Sequence, residues 1–242
     1  PMRMRLQDML GRDPTHAELA EKLGLKEADI PRLEKSDEAP YEMGGFKIYD
    51  VSRKTAPKEI AYQKTGGIGV HRFDMDADYA YISTEMEGYV GNILVIYDIR
   101  DPAHPEEVSR WWMPGQHLAG GEMPHWAGNE CRLHHAMRHG DRLFAGCWHA
   151  GLRMIDISDI NAPETIGEYN YHPPFPEPSH TFMGMPFQVG GRDIAIAIDE
   201  EDQYYSEEEA ANRKGRPHAN LWVFDIADPA NMKPLSLYQV SE

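Results

Sequence analysis

The chain has 242 residues, 41% of them apolar and 10% aromatic, enough to bury a sizeable core and to exclude a disordered protein. A formal charge of −16 excludes broad non-specific binding to nucleic acid, whose phosphates would be repelled. No run approaches the roughly 20 apolar residues of a membrane span, there is no signal-like apolar start, and Cys131 and Cys147 are too few for a disulfide framework, so a cytoplasmic location is expected.

Residues 1–40 differ in kind from the rest. In "DPTHAELAEKLGL", Thr15 is placed to cap a helix, Glu18 completes a capping box, and Leu19, Leu23 and Leu25 fall near one face. "KEADIPRLEK" reads as a second short helix. The stretch "LGRDPTHAELAEKLGL" resembles a helical region of sigma-70-type transcription factors, which implies contact with DNA or polymerase. The acidity of the chain favours a plainer expectation, a helical arm that covers a sheet edge or docks a partner.

From residue 41 the sequence repeats. "FKIYDVSRKTAPKEI", "LVIYDIRDPAHPEEV", "LRMIDISDINAPETI" and "LWVFDIADPANMKPL" each place an apolar strand before Asp50, Asp98, Asp156 or Asp225. Seven residues after the Asp stands Pro57, Pro105, Pro163 or, in the last copy, Met232. Ten residues after it an aliphatic side chain returns as Ile60, Val108, Ile166 or Leu235. The Asp is suited to accept backbone hydrogen bonds in the turn, and the proline enforces a loop before the next strand. Between copies lie two more strands, clearest where "VHRFDM" and "YAYIS" flank the turn residues "DAD". The Asp-to-Asp spacings of 48, 58 and 69 residues suit four-stranded propeller blades with insertions near 113–130 and 200–218.

The strand "LVIYDI" and its counterparts resemble the LVIVD-repeat family of β-propellers over roughly residues 44–242. The resemblance implies an all-β fold: a propeller domain at 41–242 with at least four blades, preceded by the helical arm. Propellers of this kind close with about six to eight blades. A second polypeptide or a homo-oligomer is therefore expected to complete the ring.

Twelve histidines are many for this length, and their placement follows the repeat. His71 opens the inferred innermost strand of one repeat, His134 and His135 that of the next, and His180 that of a third. His71 and His135 each precede a strand core, Tyr79 and Leu143, by eight residues. Innermost strands line the channel of a propeller, so one imidazole per blade would converge on one axis. That makes His71, His135 and His180 candidate ligands for a divalent transition metal such as zinc, iron, copper or manganese. The bland alternative is that each ring bonds a loop carbonyl.

His134 is a candidate second ligand or acid–base group, and His149, after the second inner strand, a proton shuttle. Glu85 follows "YAYIST" as a general base or as the orienter of a ligand, with Asp199, Glu200 and Glu201 at the matching point after "IAIAI". His125, Trp126, Phe182 and His218 are candidates for contact with substrate. Cys131 and Cys147 lack CxxC spacing and read as buried small residues. No GxSxG elbow, phosphate loop or HExxH motif is present. The expected function is a metal-dependent enzyme acting on a small organic molecule, with lyase, hydrolase and oxidoreductase chemistry all open. The alternative is a non-catalytic propeller scaffold whose helical arm docks a partner.

Overall fold

The structure, a computed structural model, describes residues 14–23, 27, 44–67, 69–126, 130–172, 175–201 and 219–239. The chain divides into two compact units, one of Pro1–His71 with Asp76–Arg132, the other of Arg72–Met75 with Leu133–Glu242. No helix among the described residues is long and apolar enough to cross a membrane.

The expected capping box forms. The backbone N–H of Glu18 donates to Thr15 Oγ1 at 3.3 Å, and that of Thr15 donates to Glu18 Oε2 at 2.8 Å. It starts helix α1 (His16–Leu23), which buries Leu19 and Ala20. The second expected helix lies almost wholly outside the described residues.

Among the described residues all other regular structure is antiparallel sheet apart from short 3₁₀ turns. In the first unit β1 (Gly45–Asp50) pairs with β2 (Lys58–Lys64). A four-stranded sheet follows in the order β3 (Val70–Met75), β4 (Tyr79–Thr84), β5 (Ile93–Asp98), β6 (Glu106–Trp111), although Arg72–Met75 of β3 are counted with the second unit. The "DAD" turn joins β3 to β4, with Asp76 Oδ1 accepting from the N–H of Asp78 at 2.7 Å. β5 is "ILVIYD", an unbroken apolar run because both of its faces are covered: five of its six residues are buried. Ala80, Ile82, Ile93, Val95 and Tyr97 form this unit's core, with Phe46 and Trp112 against them.

The second unit holds an eight-stranded sheet made of two meanders. The first is β7 (Cys131–His139), β8 (Arg142–Trp148), β9 (Leu152–Asp156) and β10 (Glu164–Tyr169). The second is β11 (Ser179–Gly184), β12 (Ile194–Asp199), β13 (Asn220–Asp225) and β14 (Lys233–Gln239). They join through one residue pair, Ser179↔Trp148, between β11 and β8. Phe144, Leu152, Met154, Phe182, Trp222 and Phe224 dominate the core here. Four-stranded antiparallel meanders in succession are propeller blades, and the fold is all-β and propeller-like. The four sequence motifs occupy three complete four-stranded blades and the two-stranded pair β1–β2.

The repeat has a physical cause in every copy. Asp50, Asp98, Asp156 and Asp225 each accept, through Oδ1, the backbone N–H two residues on, at 2.8, 2.9, 2.7 and 3.1 Å. The aliphatic residue ten positions after the Asp is the extra residue of a bulge. β1 and β2 pair at Ile48↔Ala61 and then Tyr49↔Glu59, skipping Ile60. Val108, Ile166 and Leu235 are skipped in the same way in β6, β10 and β14. A bulge bends its strand and increases the local twist, so the same Asp-turn and bulge recur at the outer edge of each blade.

Candidate functional site

The inner strands of the second unit bring two of the expected histidines together. On β7 successive side chains take opposite faces, so His134 and His135 cannot point the same way. His134 is the inward one, 1% exposed. Its Nδ1 donates to the carbonyl oxygen of His180 at 2.9 Å, the tautomer that carries the lone pair on Nε2. The imidazoles of His134 and His180 lie with ring centroids 4.1 Å apart.

A bulge sets the position of His180. β11 pairs with β12 at Ser179↔Asp199 and then at Thr181↔Ile198, so His180 has no opposite residue and its side chain is re-aimed. Its Nδ1 bonds Thr181 Oγ1 at 2.6 Å, which turns Nε2 toward the cluster. β8 must approach closely for this arrangement. A Cβ on Gly146 would lie 2.6 Å from the carbonyl oxygen of His180 and 3.2 Å from that of Ser179.

Glu200, one residue past β12, completes the group. Its Oε2 is 3.7 Å from His134 Nε2 and 3.6 Å from His180 Nε2. Both distances exceed the 3.2 Å at which an N–H···O bond is well made, so direct hydrogen bonding does not explain the spacing. Donors about 2.1 Å from a shared ion lie roughly 3.0–3.4 Å apart, so both Glu200 contacts stand a few tenths of an ångström beyond the spacing around a bound cation. One ligand atom from each of His134, His180 and Glu200 lies within 4.8 Å of the others. Burial holds the His180 imidazole below its usual pKa, aided by Arg72 and His135 and opposed by Glu200, which favours the neutral, metal-binding form.

Trp148 stacks on His134 with centroids 5.3 Å apart and planes 26° from parallel. Its φ of +53° is in the left-handed region, which a bulky side chain avoids unless its surroundings enforce it. Here the tight loop after β8 does so. The N–H of Cys147 donates to the Gly151 carbonyl at 2.7 Å, and the N–H of Ala150 to the Cys147 carbonyl at 2.9 Å.

Beneath the cluster runs a buried polar network. Ser179 Oγ donates to the hydroxyl of Tyr171 at 2.6 Å, and that hydroxyl donates to Asp199 Oδ1. Asp199 Oδ2 also accepts from Trp222 Nε1 at 3.0 Å and from the N–H of Asn220 at 3.2 Å. Burial raises the Asp199 carboxyl above its ordinary pKa against the pull of these bonds, and it raises the Tyr171 phenol strongly. His172 lies beside the network, its Nδ1 donating to the Phe175 carbonyl at 2.7 Å and its pKa pushed down to about 4 by burial.

The remaining sequence candidates are placed as follows. His135 Nε2 bonds the carbonyl oxygen of Phe73 at 3.1 Å. His149 Nε2 bonds that of Pro176 at 3.1 Å, and its ring is 5.2 Å from that of His172. Phe182 is fully buried in the core against Phe144 and Phe224, so its ring packs the interior instead of walling a pocket. His71, half-buried on β3, belongs to the first unit, as do Glu85, His125 and Trp126. Glu85 is buried where Gly67, at φ +53°, leaves no Cβ to collide with its carboxylate. Trp126 is buried too, edge-on to His125 at 4.9 Å. His218 lies outside the described residues. Cys131 and Cys147 are free thiols, Cys147 fully buried with its pKa pushed up to about 12.

Blades of this topology, with two imidazoles and a carboxylate gathered at inner-strand ends, define an all-β protein of propeller type with a candidate metal centre. The chain carries LVIVD repeats: that family matches residues 76–111 and 139–171, which span β4–β6 and β8–β10. No curated protein matches the sequence. Among solved structures, two of the GH93 α-L-arabinofuranosidase of Fusarium graminearum are similar, one in complex with arabinobiose and one with an iminosugar inhibitor. Identities are 12% and 11%, the TM-score is 0.42 in both, and each match covers 84% of this chain. The chain spans 61% of the length of those structures.

Proposed function

We propose that the chain binds a divalent transition metal through His134, His180 and Glu200 and uses it to act on a small organic molecule. One observation carries the reading: two Nε2 atoms converge on one Glu200 oxygen at 3.7 and 3.6 Å while the Nδ1 atom of each ring is already hydrogen-bonded. Such Nδ1 partners aim both rings, and the carbonyl partner of His134 also fixes its tautomer, as in established metal sites. Two imidazoles and a carboxylate suit zinc, iron(II), copper or manganese.

Three protein donors leave coordination positions for water or substrate. The side chains of His180, 28% exposed, and Glu200, 41% exposed, mark the side from which these would enter. A bound ion supplies Lewis-acid polarisation or a water acidified toward neutral pH. His134 and His180 hold and orient, and the Trp148 ring shields the flank of His134 from water. Hydrolase, lyase and oxidoreductase chemistry all fit such a centre. The free thiols support a reducing compartment such as the cytoplasm.

The scaffold reading draws support from β14, whose seven residues are all exposed and include Leu235, Leu237 and Tyr238 along a sheet edge. A second polypeptide or a second copy of the chain is the expected cover for it. Calorimetric titration with zinc separates the readings. About one ion per chain, lost in the His134→Ala/His180→Ala double variant, supports the metal centre. A protein that takes up no zinc, manganese, copper or iron(II) leaves the scaffold.

A further inference from the structure

We propose that Tyr171 is the positioning residue of this centre, its single hydroxyl setting the spacing between His180 and Glu200. The inference rests on the metal reading above and deepens it.

Neither ligand is anchored through its own coordinating end. Each follows directly on a residue that Tyr171 holds: Ser179 precedes His180, and Asp199 precedes Glu200. The Tyr171 hydroxyl accepts from Ser179 Oγ and donates to Asp199 Oδ1, so it bridges the two side chains. Ser179 and Asp199 are also the residue pair on one side of the His180 bulge. A bulge lacks the ladder bonds that fix register elsewhere, so the geometry at His180 depends on how firmly the neighbouring pair is tied.

Tyr171 is itself immobile. It is 5% exposed, and its ring stacks on Trp222 at 4.6 Å. The Trp222 indole N–H bonds the other oxygen of Asp199, which fixes the carboxylate from both sides. Tyr171 lies in the segment just after β10, so the outer strand of one blade governs the ligand pair on the next. Without the hydroxyl, Ser179 Oγ and Asp199 Oδ1 would each lose a buried partner, and beyond the bulge the two strand ends would be held by the Glu200 N–H bond to the Pro178 carbonyl at 2.9 Å, so the side chains of His180 and Glu200 would be less firmly spaced.

The test uses the full chain and zinc, with affinity read by competition with a chromophoric chelator and geometry by the visible absorption of the cobalt(II) form. Tyr171→Phe should lower zinc affinity about 10- to 100-fold and change the cobalt spectrum. Ser179→Ala, which removes one of the two bonds, should shift affinity the same way by less. Ile155→Val, a core change on β9 away from Tyr171 and Trp222, should lower the unfolding midpoint and leave affinity and spectrum as in the wild type. Wild-type affinity in both Tyr171→Phe and Ser179→Ala would overturn the inference while leaving the metal centre standing. An equal loss in Ile155→Val would also overturn it, since the effect would then be general softening. A wild-type chain that binds no metal would end the inference and the metal reading together.

Discussion

His172 makes the stability of the second unit depend on pH in a way that can be worked out in advance. Burial pushes its pKa from 6.5 to about 4, so the folded unit holds this ring neutral where the unfolded chain would protonate it. Between those values the unfolded state binds more protons, and stability falls as the pH falls. The contribution is fully present above pH 6.5, is down by about 2 kcal/mol near pH 5, and has lost about 3 kcal/mol below pH 4. His172→Asn removes the titration while its amide can still donate to the Phe175 carbonyl. Urea unfolding followed by tryptophan fluorescence, with chelator present, should be compared at about pH 7.5 and about pH 5 for both proteins. The variant should lose about 2 kcal/mol less than the wild type over that interval. Groups that do not interact with His172 contribute equally in both proteins and cancel in the difference. Identical pH dependence in the two would refute the reasoning.

Other outcomes follow from single contacts. Gly146→Ala sets a methyl 2.6 Å from the His180 carbonyl oxygen, so it should cost about 1–3 kcal/mol, seen as a lower melting temperature, and weaken zinc binding in calorimetry. Asp156→Ala removes the acceptor for the Ser158 N–H and should cost about 1 kcal/mol in urea unfolding, whereas Asp156→Asn, which keeps an acceptor oxygen, should cost much less. Cys147, buried and with its pKa near 12, should resist iodoacetamide in the native state while the half-buried Cys131 reacts, a difference that peptide mass spectrometry would show vanishing on unfolding.

The repeat was readable because both of its parts are local. An Asp that bonds the N–H two residues on needs only its own turn, and an aliphatic residue at constant distance needs only constant strand length. Its meaning was less accessible: Ile60, Val108, Ile166 and Leu235 look like returning core positions, and the pairing shows them as bulge residues. The site was legible in part for the same reason. Position along the inner strands singled out the pair His134 and His135 together with His180, and the run after "IAIAI" flagged Glu200. Which member of the pair faces inward depends on register, and a one-residue difference reverses it. The roles of Trp148 and Tyr171 left no trace in the sequence. A left-handed φ at tryptophan and a hydroxyl between two strand ends arise only from tertiary closure.

The central claim is that His134, His180 and Glu200 share one ion. X-ray absorption on the zinc- or cobalt-loaded chain tests it most directly. The account predicts two imidazole nitrogens and carboxylate oxygen at about 2.0–2.2 Å, with one imidazole lost in His180→Ala. Sulfur in the shell, or an imidazole count unchanged in that variant, would contradict it.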